Sequence, residues 1–279
     1  MAIPLVLVHT GTQFPSYLND CIALANKQGF DIHLLLSGEL HPYVDKSKVK
    51  LIIAEDFEDE GFADYQLSNY PQDFKDGFFT RTSSRFLLLH RYAQQTNLKS
   101  FFHVENDVAL FDDLQTTQKV LEATDKEMFL VMDHPYRCVP SILWFRSSCI
   151  LAKLAEFLRL SLSHTDMENL AFFFNSYREL VGNLPIIDRC IENDFKIDFN
   201  NKLADLQLIF DGAALGQYLF GIDNENPAET VGFINETTVF SPATLNFTWR
   251  NQLPYAASAG TNKIANLHMH CKNLKQLLQ

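Results

Sequence analysis

The chain has 279 residues with 34 acidic and 23 basic side chains, which gives a formal net charge of −11 at neutral pH. This charge disfavours nucleic acid or an anionic membrane surface as the main partner, because both repel an acidic protein. A hydrophobic content of 47% with 24 phenylalanines predicts a large folded core and excludes a globally disordered chain. The length suits one large α/β domain or two small ones.

Cysteine usage and the apolar runs predict a soluble, cytoplasmic protein without a transmembrane segment. No apolar run has the roughly 20 residues of a membrane-spanning helix, and the N-terminal IPLVLV is too short for the apolar part of a secretion signal. The five cysteines are scattered, odd in number and lack a Cys-x-x-Cys pair. That pattern favours a reducing compartment over a disulfide framework.

The first half of the chain alternates between apolar strands and amphipathic helices. A buried strand is predicted in IPLVLVHTG, followed by a helix that Pro15 opens and Gly29 ends. Two strands follow in FDIHLLLSG and VKLIIAED, then an irregular acidic segment at 56–78 and an amphipathic helix in TRTSSRFLLLHRYAQQTNL. Next come a strand at 100–104, strands in EMFLVMD and CVPSILWF, and a helix in SCILAKLAEFLRLSL. This alternation predicts an α/β sheet flanked by helices.

The second half is more mixed. A strand and a helix are predicted in LADLQLIFDGAALGQYLFGID, with Asp211 as the helix cap and Gly221 as the helix end. Short strands and loops are predicted over 230–262, and a closing strand in KIANLHMHCKNL. Because no repeat or linker divides the chain, we expect a single domain over 1–279, with halves of about 1–135 and about 136–279.

Two carboxylates interrupt the apolar sequence in KSFFHVENDVALF, residues 100–112. On a strand, residues two apart face the same side, so His103, Glu105 and Asp107 would share one face. Acids held this close repel each other unless a proton or a cation intervenes. The stretch therefore indicates a metal or acid–base site, with an ordinary strand that ends in a solvated turn as the alternative.

A second polar interruption lies in NLHMHCK, near the C-terminus. On a strand, His268, His270 and Lys272 would share one face. Imidazole together with carboxylates suits Mn²⁺ or Mg²⁺ when phosphate oxygens complete the shell, and Lys272 could neutralise a phosphate as a point charge. A single histidine is more often structural, but two at this spacing before a lysine favour a functional role.

Two further features have plain structural alternatives. Arg81 and Arg85 are four residues apart in TRTSSRF, so a helix would place them on one face just before the acidic strand. Taken alone, a solvated helix face is the favoured explanation of these arginines. Asp211 follows LIF and opens a helix, and its structural alternative is a simple N-cap.

In combination, these stretches resemble the GT-A glycosyltransferases. In that family an acidic DxD-type motif holds a divalent cation that bridges the diphosphate of a nucleotide-sugar, and a C-terminal histidine commonly adds a metal ligand. Glu105-Asn106-Asp107 matches as an ExD variant, and His270 or His268 matches the histidine. The resemblance covers nearly the whole chain in the order of its elements, although no clear Gly-rich loop appears at RCVPSILW.

The resemblance implies roles for other residues. It implies a GT-A, Rossmann-like mixed sheet, a nucleoside-contacting loop after the first strand, and an acceptor-side acid at Asp211. That acid would be the general base if configuration is inverted, with Asp205 or Asp223 as substitutes, and would position substrate if configuration is retained. Metal ligation is assigned to Glu105, Asp107, His268 and His270, and donor binding to His9, Thr10, Gly11, Arg81, Arg85, Glu105, Asn106 and Lys272.

The predicted function is therefore Mn²⁺- or Mg²⁺-dependent glycosyl transfer. The donor would be a nucleoside-diphosphate sugar, with uridine diphosphate the commonest carrier in the family. The acceptor would be a hydroxyl of a glycan or glycolipid, as in polysaccharide biosynthesis. A metal-dependent phosphoesterase is the first alternative, although such hydrolases usually need more ligands than are evident here. An inactive nucleotide-binding or scaffold protein is the second.

Overall fold

A computed structural model describes residues 2–59, 61–62, 77–160, 165–186, 203, 206–222, 243, 245–257 and 261–278. Its strands are β1 Pro4–His9, β2 Asp31–Leu36, β3 Lys50–Ile53, β4 Phe101–Val104, β5 Val108–Leu110, β6 Met128–Leu130, β7 Met132–His134, β8 Arg137–Cys138, β9 Ile142–Phe145, β10 Val181–Asn183, β11 Leu208–Phe210, β12 Asn246–Arg250, β13 Leu253–Ala257 and β14 Thr261–His268. Its α-helices are α1 Tyr17–Lys27, α2 Phe78–Gln95, α3 Gln115–Glu122, α4 Ser148–Leu160, α5 Asp166–Ser176 and α6 Ala214–Phe220. Most of the irregular segment predicted at 56–78, and much of the stretch predicted at 230–262, lie outside the described residues.

The main sheet has seven strands in the order β10-β6-β9-β4-β1-β2-β3. Only β9 runs antiparallel to its neighbours, while β1 pairs in parallel with both β2 and β4. The predicted mixed α/β sheet with flanking helices is thus confirmed. Because β1 and β4 are adjacent and parallel, the segments that follow them emerge at the same edge of the sheet. Ligands of open α/β sheets bind at this carboxyl edge.

A second sheet connects the acidic stretch to the end of the chain. Its strands follow the order β11-β14-β13-β12, and β5 pairs with β14 on the same sheet. The β5–β14 pairing is antiparallel and places Val108 opposite His268. The backbone N–H of Met269 also donates to the carbonyl of Asp107 at 2.9 Å. This ladder brings the acidic stretch beside the C-terminal histidines.

A continuous apolar core joins the two halves of the chain. It contains Leu7 and Phe102 from the first half and Trp144, Phe210 and Ile264 from the second, all of them at most 1% exposed. Burial of these side chains removes apolar surface from water, which is the main favourable contribution to folding. None of the helices in the described part of the chain is long and apolar enough to cross a membrane.

Both predicted polar strand faces are wrong, because neither strand continues through all of the residues that would share a face. Strand β4 ends at Val104, and the N–H of Val108 donates to the Glu105 carbonyl, which closes a tight turn. His103 instead lies in the core, with Nδ1 2.8 Å from the Val6 carbonyl oxygen. Burial, reinforced by Arg85, lowers the pKa of His103 to about 3, so this imidazole is neutral.

Strand β14 ends at His268 rather than continuing through Lys272. The N–H of Lys272 donates to the Met269 carbonyl at 2.7 Å, and Lys272 adopts a left-handed φ of 61°. The period-two rule applies only while a strand continues. The alternation predicted for His268, His270 and Lys272 therefore does not apply beyond His268.

Candidate metal centre

Three of the predicted metal ligands come together at the carboxyl edge of the main sheet. Glu105 and Asp107 lie in the turn between β4 and β5, and His268 ends β14. One ligand atom from each of these residues lies within 4.8 Å of the other two. His268 rather than His270 belongs to this group, although the two imidazole rings are only 6.2 Å apart.

Hydrogen bonds fix the orientation of the His268 ring. Its Nδ1 lies 2.8 Å from the Gly212 carbonyl oxygen, which can accept only if Nδ1 carries the proton. Nε2 is then directed at the acids, 3.2 Å from Oδ2 of Asp107 and 3.6 Å from Oε2 of Glu105. A backbone acceptor on the far nitrogen is the usual arrangement of a metal-binding histidine.

Lys272 contributes a permanent positive charge to the same cluster. Its Nζ donates to Oδ2 of Asp107, the oxygen that also faces His268. Burial opposes ionisation of Asp107, but His268 and Lys272 outweigh it and hold the pKa of this carboxyl well below its usual range. Burial likewise opposes the charge on His268, but Asp107 raises the pKa of the imidazole to about 9.

The donor set fits a divalent cation. Two carboxylates and one imidazole with an anchored far nitrogen are ligands suited to Mn²⁺ or Mg²⁺. Because a metal-binding imidazole must be neutral, binding of a cation would displace the proton that His268 otherwise carries. Glu105, Asp107 and His268 would supply the protein ligands.

Arg85 reaches this cluster through Glu105. Its guanidinium is buried; Nη1 donates to Oε1 of Glu105 at 2.7 Å and Nη2 donates to Oδ2 of Asp166 at 2.9 Å. Arg81, by contrast, is half-buried, and its carbonyl accepts the hydroxyl of Thr10 at 3.1 Å. The two arginines of TRTSSRF therefore have different environments and do not form one basic pair.

Asn106 connects the acidic turn to the end of β1. Its Nδ2 donates to the carbonyl of Val8 at 3.3 Å and to Nδ1 of His9 at 3.2 Å. Nε2 of His9 in turn lies 2.8 Å from the Gln13 carbonyl oxygen. A Cβ added to Gly11 would lie 2.7 Å from the His9 ring, so this ring needs glycine beside it. The predicted nucleoside loop and the acidic turn are thus in direct contact.

Asp211 is buried at the junction of α6 and β14, with 1% of its surface exposed. Oδ1 accepts the N–H of Leu215 at 2.9 Å, and Oδ2 accepts the N–H of Gly216 at 2.8 Å and of His268 at 3.0 Å. Both oxygens are therefore occupied by backbone donors. This geometry is that of a residue that positions His268, and it does not offer the carboxylate to an acceptor hydroxyl. Asp205 and Asp223, the substitute bases, lie outside the described residues.

Side chains that were not predicted as site residues also contribute to the junction of α6 and β14. Asn266 accepts the Asp211 N–H and donates to the Asp211 carbonyl, and Ser141 donates to the same carbonyl at 2.5 Å. Gly216 lets α6 approach β14, since a Cβ at this position would lie 1.9 Å from the His268 carbonyl oxygen. These contacts hold the backbone of His268 in place.

Comparisons with known proteins return only structural similarities. No protein-family model and no curated protein sequence matches the chain. Among solved structures, it is similar to mouse xyloside xylosyltransferase 1, with 9% identity and a TM-score of 0.46 over 66% of this chain and 86% of that chain. It is similar to the galactosyltransferase LgtC, with 12% identity and a TM-score of 0.46 over 66% and 73% of the two chains. A glycosyltransferase that acts in glycosylation of the major capsid of PBCV-1 has 11% identity and a TM-score of 0.40, over 66% and 82%.

We expect the stability of the protein in EDTA to fall as the pH rises from about 6.5 to about 9 and to change no further from this cause above that range. The folded-state pKa of His268, about 9, lies above the ordinary value of 6.5. Its ion pair with Asp107 therefore contributes fully below about pH 6.5 and is lost as the pH rises through about 9. Urea unfolding at pH 6.5, 8 and 9.5 measures this slope.

Two variants isolate the contribution of His268. His268→Gln should flatten the pH dependence, because glutamine does not titrate. His41→Gln, which changes a histidine outside the cluster, should keep the wild-type slope. The same slope in His268→Gln and wild type would show that another group causes it.

Proposed function

We propose that this protein is a glycosyltransferase that moves a sugar from a nucleoside-diphosphate sugar to a hydroxyl of a glycan or glycolipid, with Mn²⁺ or Mg²⁺ as cofactor. The observation that carries the proposal is the gathering of Glu105, Asp107 and His268 at the carboxyl edge of the main sheet. Asn106, between the two acids, contacts His9 at the end of β1. In open α/β sheets, nucleotides bind at this edge. Uridine diphosphate is the first carrier to test.

The charges of the cluster support a diphosphate ligand. Glu105, Asp107 and Asp166 carry three negative charges, and Arg85 and Lys272 carry two positive charges. With His268 neutral, the group has a net charge of about −1, which attracts a divalent cation and becomes about +1 once the cation is bound. A net positive site then favours a diphosphate.

The contacts of each residue indicate its role in binding the donor. When bound, the cation would act as a Lewis acid on the leaving diphosphate. Lys272 would hold a fixed positive charge beside that group, stabilising the negative charge that develops on it. His9, Thr10, Gly11 and Arg81 would bind the nucleoside side of the donor. Among the described residues, no group donates a hydrogen bond to the buried Oδ1 of Asn106, and this oxygen would accept one from the nucleotide-sugar.

Two of the sequence-based roles change in this proposal. Arg85 would hold Glu105 in place rather than touch the donor, since its guanidinium is buried between two carboxylates. Asp211 would position His268 rather than deprotonate the acceptor. Transfer with retention of configuration needs no dedicated base, and inversion would need one from outside the junction that Asp211 forms.

Incubation with a panel of nucleotide-sugars, in Mn²⁺ or in EDTA, tests the proposal. Slow release of nucleoside diphosphate that stops in EDTA and returns with Mn²⁺ is the expected result. Attack on simple phosphate esters instead would identify a phosphoesterase. Nucleotide binding without turnover across the panel and a set of glycan acceptors would identify an inactive nucleotide-binding protein.

A further inference from the structure

Asp166 lies next to the proposed metal centre but contacts no metal ligand directly. It is the first residue of α5, and a reciprocal capping box between Thr165 and Glu168 fixes the start of that helix. The Asp166 side chain is buried, and its Oδ2 accepts from Nη2 of Arg85 at 2.9 Å. The start of α5 therefore places a negative charge beside Nη2 of Arg85.

The two terminal nitrogens of the Arg85 guanidinium donate to two different carboxylates. Nη1 contacts only Oε1 of Glu105, at 2.7 Å, which leaves Oε2 of Glu105 facing Nε2 of His268 at 3.6 Å. A guanidinium commonly donates to both oxygens of a single carboxylate when no other acceptor competes for its second terminal nitrogen. Without Asp166, Arg85 would be free to turn and bind both oxygens of Glu105.

The geometry points to Asp166 as a positioning residue: it divides Arg85 between two carboxylates and thereby keeps one oxygen of Glu105 available to the metal. This inference rests on the proposed function, because it concerns the affinity of the site for its cation. It also explains why a buried arginine can lie against a metal ligand without neutralising it. Asp166 acts only through Arg85, so its effect requires the arginine.

A purely structural ion pair would produce a different result. Removing one partner of a buried pair destabilises the fold whether or not the pair serves the metal site. Loss of thermal stability therefore does not distinguish the two roles. The affinity of the nucleotide-free protein for Mn²⁺ does when it is measured with and without Arg85. Loss of the Asp166 charge weakens Mn²⁺ binding in either background, whereas loss of positioning requires the arginine.

Calorimetric titration of Mn²⁺ into nucleotide-free protein is the test. Asp166→Asn should weaken Mn²⁺ binding by roughly 10–100-fold, the usual cost of changing a residue behind a metal ligand. Asp59→Asn is the matched control. Asp59 is also paired with an arginine, since Nη2 of Arg159 donates to its two carboxylate oxygens at 2.9 and 3.1 Å, but it is not part of the cluster. The Mn²⁺ affinity of this variant should match that of wild type. In an Arg85→Met background, Asp166→Asn should cause no further loss.

A further loss of Mn²⁺ affinity on Asp166→Asn in the Arg85→Met background would show that Asp166 acts by its charge alone, and it would overturn the inference. Equal Mn²⁺ affinity in wild type and Asp166→Asn overturns the inference and leaves the proposed function intact. A wild-type protein that neither binds Mn²⁺ nor turns over any nucleotide-sugar overturns the proposed function itself. If Asp166→Asn does not fold, Arg85→Lys provides the same test, because a single ammonium cannot replace the fork between two carboxylates. Unchanged Mn²⁺ affinity in Arg85→Lys would also overturn the inference.

Discussion

Asp107→Asn is expected to abolish metal-dependent turnover while the protein remains folded. Asp107 is the acid that both His268 and Lys272 contact, so its charge is central to the cluster. The asparagine variant would leave those two groups facing an uncharged amide. With His268 neutral, the net charge of the cluster would rise from about −1 to about 0, so the site would no longer attract a divalent cation. The loss of Mn²⁺ affinity should exceed the roughly 10–100-fold typical of residues behind the ligands.

The effect of Asp107→Asn on rate should be as large. Stabilisation of the leaving diphosphate by a bound cation is worth several kcal/mol, so the turnover rate should fall about 10³-fold or more. Turnover of a nucleotide-sugar at fixed Mn²⁺ and calorimetric Mn²⁺ binding measure the two losses separately. Circular dichroism and urea unfolding would verify that the variant is folded.

Asp112→Asn is the matched control for Asp107→Asn. Asp112 also forms an ion pair with a lysine, at 2.7 Å from Nζ of Lys263, but it lies outside the group of ligands. Its variant should keep Mn²⁺ affinity and turnover within a few fold of wild type. If Asp107→Asn turned over as fast as wild type at ordinary Mn²⁺ concentration, Asp107 would not be a metal ligand.

The location of the site could be predicted from local sequence, because strand, turn and acid are neighbours along the chain. The two acids of KSFFHVENDVALF directly follow a buried strand, and IPLVLVHTG ends in a loop beside it. Parallel pairing of β1 with β4 then brings both segments to one edge. These predictions required only short-range patterns and the general behaviour of α/β sheets.

The choice between the two histidines could not be made from the sequence. It depends on where β14 ends, and that depends on its pairing with β5 and on the turn after His268. Nε2 of His268 and the carboxylate of Asp107 come from positions 161 residues apart. Alternation along a strand assigns faces, but it carries no information about such a distant partner.

The role of Asp166 likewise could not be predicted from the sequence. The capping-box pattern of Thr165 and Glu168 is readable in HTDMENL and predicts that a helix begins there. Nothing in that pattern indicates that the first helical residue faces Arg85, 81 positions earlier in the chain. Such a local signal is enough to identify a helix start, although no helix was predicted at α5, whereas the pairing of buried charges requires the tertiary structure.

Asp211→Asn is expected to destabilise the protein, in contrast to the small effect that an ordinary helix cap predicts. Asparagine and aspartate cap helices about equally well when only one oxygen is needed. Here the carboxylate accepts three backbone N–H groups, from Leu215 and Gly216 in α6 and from His268 in β14. An amide has one oxygen, so its NH₂ group must face at least one of these donors.

The size of the effect follows from that conflict. Each buried donor left without an acceptor costs about 1–3 kcal/mol, so the free energy of unfolding should fall by at least that amount. Because one of the donors is the backbone N–H of His268, Mn²⁺ affinity should fall together with stability. Asp45→Asn is the control, since Asp45 is exposed and its Oδ1 accepts from a single backbone N–H, that of Ser47, at 3.1 Å. The stability of that variant should match that of wild type.

Three measurements on Asp211→Asn separate the possible roles of this residue. Urea unfolding, Mn²⁺ titration and the transfer rate at saturating Mn²⁺ should show lower stability and weaker metal binding, with the rate recovering as Mn²⁺ is raised. A general base predicts the opposite pattern, in which stability and Mn²⁺ affinity are normal and the rate falls by roughly 10²–10⁴-fold at any Mn²⁺ concentration. That second pattern would restore Asp211 to the chemistry, because a carboxylate that only positions His268 cannot limit the rate once the metal is bound.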